Sequence, residues 1–233
     1  MNDVGTEQRI QENWQQVQAE VRDAAIRHGR SPDAIQIVGV SKYVDTETTR
    51  MLIRAGCRCL GESRPQTLWQ KAEAIADTKV AWHLIGHLQR NKVRRLLKCH
   101  PFIESVDSAR LVQAIAQQSI ELECRTRVLL EVNISGEPAK TGLAAEQVGQ
   151  LLTSLPEQGI QVDGLMAMAG WGTAPEQARR QFAETRQLRD RLVGETGIQL
   201  PQLSMGMSGD FPQAIAEGAT IVRIGSRIFE GVI

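Results

Sequence analysis

The sequence predicts an α/β fold, a closed (β/α)8 TIM barrel, and three observations support this prediction. Eight short apolar segments alternate with eight helical patterns along the 233 residues. The connections between them are short, and no linker interrupts the series. Strict alternation requires parallel strands with helical crossovers, and eight repeats of this length favour a closed barrel. An open doubly wound sheet is the alternative.

Each predicted strand is a short run rich in β-branched or aliphatic residues, bounded by turn residues. The strands are predicted at 35–42, 59–63, 82–87, 102–106, 127–134, 163–168, 203–207 and 221–225. An extra N-terminal helix over 7–28 has apolar residues at three- and four-residue steps. Because the chain ends soon after the eighth strand, we expect this helix to cover the seam between strands eight and one. Residues 1–233 are therefore interpreted as a single domain.

The remaining helices are predicted from their caps and apolar faces. Asp45 is expected to cap a helix that ends near 55, and others are expected over 65–76 and 89–98. Asp107 or Ser108 begins the next, Thr173-Ala-Pro-Glu176 is typical of a capping box, and Asp210 caps a short helix ending at Gly218.

Composition excludes several classes of function. The formal net charge is +0, so no overall field attracts nucleic acid or an anionic membrane. No signal peptide and no run long enough to span a bilayer is present, which predicts a cytoplasmic protein. The spacing of the four cysteines makes no zinc pattern, and they are interpreted as reduced structural thiols (Cys57, Cys59, Cys99 and Cys124).

The turns after strands seven and eight are candidates for anion binding. In a (β/α)8 barrel, phosphate often binds at this position. Ser208-Gly209-Asp210 leads into a helix N-terminus, where backbone N–H groups favour an anion. Gly225-Ser226 supplies a second close backbone approach and a hydroxyl. The alternative is that these are two ordinary βα turns.

Lys42, at the end of the first strand, is the residue around which the site is predicted. Period-two alternation puts Lys42 on the face of strand one that neighbours the face of strand eight bearing Arg223. Like charge and partial desolvation are expected to lower the pKa of Lys42, and a neutral amine can form a Schiff base with an aldehyde. A lysine, an arginine and a phosphate site together indicate pyridoxal 5'-phosphate. The alternative is a strand-end lysine that reaches water.

The other five lysines are weaker candidates. Lys71, Lys79, Lys92 and Lys98 lie on helical or loop stretches and are predicted to be solvated. Lys140, in the loop after strand five, faces the same end of the barrel and is the rival.

Several segments in one order resemble the YggS/PROSC family of pyridoxal-phosphate-binding homeostasis proteins, over nearly the whole chain. They are Val40-Ser-Lys42, Gly61-Glu62, 82–86 with 88–92, 105–107, 132–137 through 140–142, 164–166, 203–208 and 223–225. The resemblance implies a fold-type III barrel similar to the N-terminal domain of alanine racemase. It also implies that the cofactor is bound covalently to Lys42.

The family resemblance further implies which residues contact the cofactor. Ser208, Gly225 and Ser226 would hold its phosphate, and Arg223 would face the pyridine nitrogen. The full set of implied cofactor-binding residues is Lys42, Ser63, His83, Met205, Ser208, Gly209, Arg223, Gly225 and Ser226. The sequence departs from the family at Ser63, where asparagine is usual, at His87, where proline is usual, and at Gly209, where an acidic residue is common.

The residues favour a carrier over an enzyme. A racemase of this type needs a second base, usually tyrosine, and a further C-terminal β-domain. The single tyrosine, Tyr43, is adjacent to Lys42 and is expected to point away from it, and no residues remain for a second domain. His83 and His87 are expected to share one face of strand three and could act as acids or bases. An aldolase would want carboxylates around Lys42, and strand one offers none.

The predicted function is therefore to carry and buffer pyridoxal phosphate and to maintain amino-acid and keto-acid balance. The alternative is a racemase-like enzyme with weak activity. Free amino acids and apo-enzymes that accept the cofactor are the expected partners, and the protein is expected to be a monomer. The basic run at 90–98 raises a nucleic-acid-binding module, but Val93, Leu96 and Leu97 predict a solvated helix face instead.

Overall fold

A computed structural model describes residues 3–77, 79–137, 141–170 and 172–233. Eight parallel strands pair in chain order and close into a barrel. They are β1 (Gln36–Val40), β2 (Cys59–Glu62), β3 (Ala81–Leu84), β4 (Phe102–Val106), β5 (Thr126–Val132), β6 (Ile160–Ala167), β7 (Gln202–Met207) and β8 (Ile221–Ile224). The predicted barrel is confirmed, and the open sheet is wrong, because β1 pairs with β8 from Gln36↔Ile221 to Gly39↔Ile224.

Helices alternate with the strands and surround them. They are α1 (Asp3–Arg27), α2 (Thr46–Arg54), α3 (Pro65–Ile75), α4 (Val93–Leu97), α5 (Ala109–Glu121), α6 (Ala145–Leu152), α7 (Pro175–Thr196) and α8 (Phe211–Ala216), with 3₁₀ turns at Pro32–Ala34 and Arg90–Lys92. In the part of the chain that these ranges describe, no helix combines the length and the apolar character needed to cross a bilayer.

The N-terminal helix covers the seam between β8 and β1, as predicted. It packs against both α2 and α8. Trp14 on its inner face is buried, while Asn13 Nδ2 donates hydrogen bonds of 3.0 Å to the carbonyls of Ile228 and Glu230. Arg30, just after α1, donates to the carbonyl of Ile215 at 3.0 Å. The α1 helix thus ties the C-terminal turns to the barrel.

Alternation along the strands separates two apolar regions. Most buried apolar residues lie between the strands and the helices. A smaller cluster fills the barrel interior and consists of Val38, Leu129, Met166 and Ile221. The interior therefore has little apolar filling, and buried polar side chains occupy much of the remainder.

Several predicted element ends are corrected. Asp45 and Ser108 cap their helices as predicted, through Thr48 N–H at 2.8 Å and Leu111 N–H at 3.4 Å. The predicted capping box at Thr173 is wrong, because its hydroxyl donates to the carbonyl of Gly170 at 3.0 Å instead.

Other boundaries shift because local contacts end an element early. The helix predicted over 89–98 is a 3₁₀ turn followed by the five-residue α4. Strand β3 ends at Leu84 rather than 87, so the prediction that His83 and His87 share a face is wrong. His83 is buried, whereas the side chain of His87 is 58% exposed and lies 2.9 Å from Asp107.

Candidate functional site

The carboxyl ends of β1, β7 and β8 meet at one end of the barrel, here called the mouth. A Cβ atom added to Gly225 would lie 3.1 Å from the carbonyl oxygen of Val40, so the turn after β8 packs directly on the end of β1. The Gly225 N–H donates to the Ser208 hydroxyl at 3.3 Å, which joins the turns after β8 and β7. The structure therefore brings together Lys42, which follows β1, and the two turns predicted to hold phosphate.

Lys42 lies just beyond β1 and its side chain is exposed. Its Nζ lies 4.9 Å from the centre of the Tyr43 ring, so the expectation that Tyr43 points away from Lys42 is wrong. The expectation that Lys42 is partly desolvated is also wrong, because its side chain is exposed to solvent at the mouth. An exposed amine beside an aromatic ring is accessible to a ligand that enters from solution.

A buried ion pair supports the strand end that presents Lys42. Lys71 Nζ donates to Glu62 Oε1 at 2.7 Å and to the Ser41 carbonyl at 2.8 Å, while the Ser41 hydroxyl donates to Glu62 Oε1 at 2.7 Å. The prediction that Lys71 is solvated is wrong, because its side chain is only 4% exposed. These bonds fix the residue directly before Lys42.

The candidate phosphate residues lie on two adjacent turns of the mouth. Ser208 is half-buried, whereas Gly209 and Ser226 are exposed. A Cβ atom at Gly209 would meet no atom within 4 Å, so this turn borders open space. Arg227 Nε donates to the Ser208 carbonyl at 2.8 Å, which fixes one turn against the other.

Asp210 has a different role from the predicted helix cap. Its Oδ1 accepts from the Met207 N–H at 2.6 Å and makes no side-chain cap for α8, which is only six residues long. Burial raises the pKa of this carboxyl. Asp210 therefore stabilises the turn after β7 rather than the start of the helix.

Arg223 is buried beneath the mouth and held from two sides. Its Nη1 donates to the Ser204 hydroxyl at 2.6 Å, and its Nη2 donates to the Ala167 carbonyl at 3.0 Å. Glu104 Oε2 lies 3.9 Å from the guanidinium. Burial lowers the pKa of Arg223, and the nearby carboxylates oppose that effect. This cation is therefore fixed in direction as well as in position.

His83 and Glu104 extend the polar network into the middle of the barrel. His83 Nδ1 lies 2.6 Å from Glu104 Oε1, and the Ser204 hydroxyl donates to Glu104 Oε2 at 2.5 Å. Both ionisable side chains are almost fully buried. Burial alone would raise the pKa of Glu104, but its bonds to His83 and Ser204 and the charges of His83 and Arg223 lower it. Glu104 is therefore a carboxylate that links His83 to Arg223.

Ser63 and Met205 occupy less direct positions. Ser63 follows β2 and is half-buried, and a Cβ atom at Gly86 would lie 2.4 Å from its carbonyl oxygen. Met205 is fully buried in the outer core, next to the inward-facing Ser204 and on the opposite face of β7. The structure thus directs the Met205 side chain away from the barrel interior, and its contact with a cofactor stays a prediction. The rival Lys140 lies outside the described residues.

Sequence reasoning missed Glu104, Ser204 and Glu131. Glu131 lies near the carboxyl end of β5, is buried, and accepts a 2.6 Å bond from the Thr141 hydroxyl. Burial raises the pKa of Glu131, and the charge of Asp107 adds to this effect. The available signal was alternation, because Glu104 and Glu131 each interrupt an apolar strand at an inward position.

Comparisons with known proteins agree with this architecture. The family model of the alanine racemase N-terminal domain matches residues 6–231. The chain is 38% identical over 219 residues to a pyridoxal phosphate homeostasis protein of Aquifex aeolicus, covering 94% of this chain and 96% of that one. It is 36% identical over 221 residues to the protein of the same name from Pseudomonas aeruginosa, covering 94% of each chain.

A solved structure is similar in both sequence and fold. PipY of Synechococcus elongatus, with pyridoxal phosphate bound, matches at a TM-score of 0.84 and 30% identity. The match covers 94% of this chain and 99% of PipY. The predicted family resemblance is confirmed.

Proposed function

The chain belongs to the family of pyridoxal phosphate homeostasis proteins, and from this premise we propose that it binds pyridoxal 5'-phosphate reversibly and buffers its supply. The observation that carries the proposal is that the exposed Lys42 lies two residues beyond Val40, where β1 packs against the joined turns of Ser208 and Gly225. Solved PipY, a relative of nearly the same length, has this cofactor bound.

The residues of the mouth fit this cofactor chemically. Lys42 offers an accessible primary amine, and the turns offer a hydroxyl from Ser208 and backbone N–H groups for a phosphate. The open space at Gly209, where an added Cβ would meet no atom within 4 Å, leaves room for a ligand against the backbone. The bound cofactor supplies an aldehyde that an amine attacks to form a Schiff base. Lys42 would hold it covalently, and Ser208, Gly225 and Ser226 would hold its phosphate.

Arg223 distinguishes carriage from catalysis. An arginine side chain has only donors and accepts no proton, and this guanidinium is fixed by Ser204 and Ala167. Facing a pyridine nitrogen, it would oppose protonation there and make the ring a weaker electron sink. We therefore propose a protein that holds and releases the cofactor rather than one that drives rapid turnover.

We further propose a cellular location, an oligomeric state and a set of partners for this protein. The protein would act as a cytoplasmic monomer, deliver the cofactor to apo-enzymes, release it to free amino acids, and thereby affect amino-acid and keto-acid balance. It would bind neither nucleic acid nor membranes. The basic side chains of α4 support this, because Arg94 lies 2.5 Å from Glu121 and Arg95 lies over the Trp69 ring at 4.5 Å. A mobility-shift assay at physiological salt tests whether the protein binds nucleic acid, and light scattering tests whether it is a monomer.

The test of cofactor binding is a visible absorbance spectrum after incubation with pyridoxal phosphate and removal of the excess. Wild-type protein is expected to be yellow, and Lys42→Ala is expected to lose the absorbance of the covalent form. Lys79→Ala is the matched control, because Lys79 is also an exposed lysine but lies before β3 at the other end of the barrel. A colourless wild-type protein would contradict the proposal.

The second candidate is a racemase-like enzyme acting on amino acids, and Glu131 favours it. A buried carboxyl with a raised pKa at the mouth is suited to proton transfer. Incubation with L-amino acids and cofactor in deuterated water distinguishes the two functions. Fast exchange of the α-proton that requires both Lys42 and Glu131 would favour the enzyme, and no exchange above free cofactor would favour the carrier.

A further inference from the structure

The end of the barrel opposite the mouth contains a second group of chemically suited residues. Cys59 is the first residue of β2, and pairing of β2 with β3 matches Cys59 with Ala81 and Gly61 with His83. Cys59 and His83 therefore lie on the inward face of neighbouring strands, one inward position apart. A Cβ atom added to Gly61, which lies between them, would be 2.9 Å from Val38 Cγ1, so glycine here lets Val38 pack onto the strand.

Hydrogen bonds orient these residues toward the cysteine sulfur. Gln36 Nε2, on the adjacent strand β1, lies 2.8 Å from Cys59 Sγ and donates to it. His83 Nδ1 is 2.6 Å from Glu104 Oε1, and the His83 imidazole also interacts with the Cys59 thiol. Glu104 is held in turn by the Ser204 hydroxyl. The order thiol, imidazole, carboxylate is the one that activates a nucleophile.

The charges around Cys59 favour its thiolate. Burial alone would raise the pKa of Cys59, and the charge of Glu104 acts in the same direction. The hydrogen bonds with His83 and Gln36 and the charge of His83 outweigh both effects and lower this pKa below its ordinary value. Burial would lower the pKa of His83, yet its bonds to Cys59 and Glu104 raise it to about 9. Both shifts favour the thiolate–imidazolium form of the pair over the neutral form.

The neighbouring Cys57 shows how specific this environment is. It lies just before β2, is fully buried and packs in the outer core, whereas Cys59 packs against the cluster inside the barrel. Its Sγ donates to the Cys59 carbonyl at 3.3 Å. Burial raises the pKa of Cys57 to about 12.

A cavity lies beside Gln36 and His83, the two residues that interact with the Cys59 sulfur. This cavity of about 240 Å³ opens at this end of the barrel, with Gln36, His83, Phe102 and Arg127 in its lining. Cys59 itself is half-buried. Arg127 lies at the rim over the Phe102 ring at 4.9 Å and is paired with Asp163 Oδ2 at 2.5 Å, so the cationic group nearest the sulfur is the His83 imidazole. Partly exposed cysteines in electropositive surroundings are the ones that react.

We propose that Cys59, His83 and Glu104 form a reactive thiolate site at the base of the barrel, modified by small peroxides. The sulfur attacks one oxygen of hydrogen peroxide, so that an S–O bond forms as the O–O bond breaks. Sulfur loses two electrons and becomes a sulfenic acid, and the peroxide is reduced. The departing hydroxide takes a proton from the His83 imidazolium and leaves as water, so His83 becomes neutral.

The first experiment uses the native wild-type protein, with the three cysteines other than Cys59 as internal controls. Brief alkylation with iodoacetamide between pH 5.5 and 9 is followed by tryptic peptide mass spectrometry, in which Arg58 separates Cys57 from Cys59. At pH 6.5, Cys59 is expected to react about tenfold faster than Cys99, because only a thiolate is nucleophilic. Burial raises the pKa of Cys99. Equal rates would overturn the proposal.

The second experiment tests the imidazole and the peroxide. In His83→Gln, the alkylation of Cys59 is expected to slow at neutral pH and to rise only near the ordinary thiol pKa of about 8.5. In Cys124→Ser, which removes another thiol near the cavity, the profile of Cys59 is expected to stay unchanged. Hydrogen peroxide followed by dimedone is expected to label Cys59 in wild type before the other cysteines. The proposal would be overturned if folded His83→Gln alkylates at Cys59 with the same pH dependence as wild type, or if dimedone does not label Cys59. If His83→Gln does not fold, the pH dependence of Cys59 alkylation in the wild-type protein decides.

Discussion

Replacing Lys71 by methionine is expected to destabilise the barrel strongly, because it removes one partner of a buried ion pair. Lys71 Nζ is 2.7 Å from Glu62 Oε1, and the two side chains are 4% and 0% exposed. The same amine holds the Ser41 carbonyl at 2.8 Å. Methionine keeps an unbranched stem of four heavy atoms and removes the ammonium group, and with it both hydrogen bonds and the charge.

The size of the stability loss in Lys71→Met depends on the environment in which the Glu62 carboxylate is left. Removing one partner of a buried pair costs about 3–5 kcal/mol, because the remaining charge is buried without compensation. Among the described residues, Glu62 Oε2 already has no hydrogen-bond partner, so this carboxylate depends on the bonds at Oε1. An exposed ion pair contributes only about 0–1 kcal/mol. The prediction for Lys71→Met therefore lies well outside the range of a surface substitution.

The assay is urea unfolding followed by circular dichroism at pH 7. Arg191→Met is the control, because the Arg191–Glu195 pair is 3.9 Å apart and its side chains are 57% and 59% exposed. The double variant Lys71→Met/Glu62→Gln is expected to recover part of the lost stability, because no charge stays buried. A Lys71→Met variant within about 1 kcal/mol of wild type, the range of an exposed pair, would refute the reasoning. A double variant less stable than Lys71→Met would do the same.

Three further predictions concern single residues. Glu104→Gln is expected to lower the free energy of unfolding by about 3–5 kcal/mol at pH 7, because it leaves the His83 charge unpaired. Folding lowers the pKa of Glu104, so the stability that its carboxylate contributes is present above the ordinary pKa of 4.5 and is lost as the pH falls further. The unfolding curves of wild type and Glu104→Gln should therefore converge in acid. Gly206→Ala is expected to cost about 1–3 kcal/mol in the same assay, because Gly206 has a φ of +91° and the new Cβ would lie 2.6 Å from that of Ala214; equal stability would contradict this. Ser208→Ala is expected to weaken pyridoxal phosphate binding about tenfold or more in a spectroscopic titration, since a hydrogen bond to a charged group contributes about 1.5–3 kcal/mol; an unchanged affinity would remove Ser208 from the site.

The fold could be predicted because its signals are local and repeated. Each strand is a short apolar run, and eight alternations with helices leave few topologies. Strand ends were less predictable, as β3 shows. The apolar pattern continues through Ile85, but pairing with β2 ends at Leu84. Helix caps succeeded at Asp45 and failed at Thr173, because a side chain that can cap can also bond to another turn.

The candidate site could be predicted only where a residue's position on its strand decides its role. Alternation was enough to place Lys42 at the end of β1 and Arg223 on β8, and their contact with the cofactor stays a prediction. It was not enough for Lys71, because a lysine on an amphipathic helix gives no local sign that a buried carboxylate lies opposite. The environment of Cys59 depends on contacts across three strands, and no spacing in the sequence reveals them.

The most direct test of the central claim is reduction of the cofactor-loaded protein with borohydride, followed by peptide mapping. Borohydride fixes a Schiff base as a stable amine and thereby marks the lysine that formed it. We predict a modified peptide over residues 31–50, with trypsin unable to cleave after Lys42. Modification confined to Lys140 or another lysine, with Lys42 unmodified in protein that binds the cofactor, would contradict the proposal.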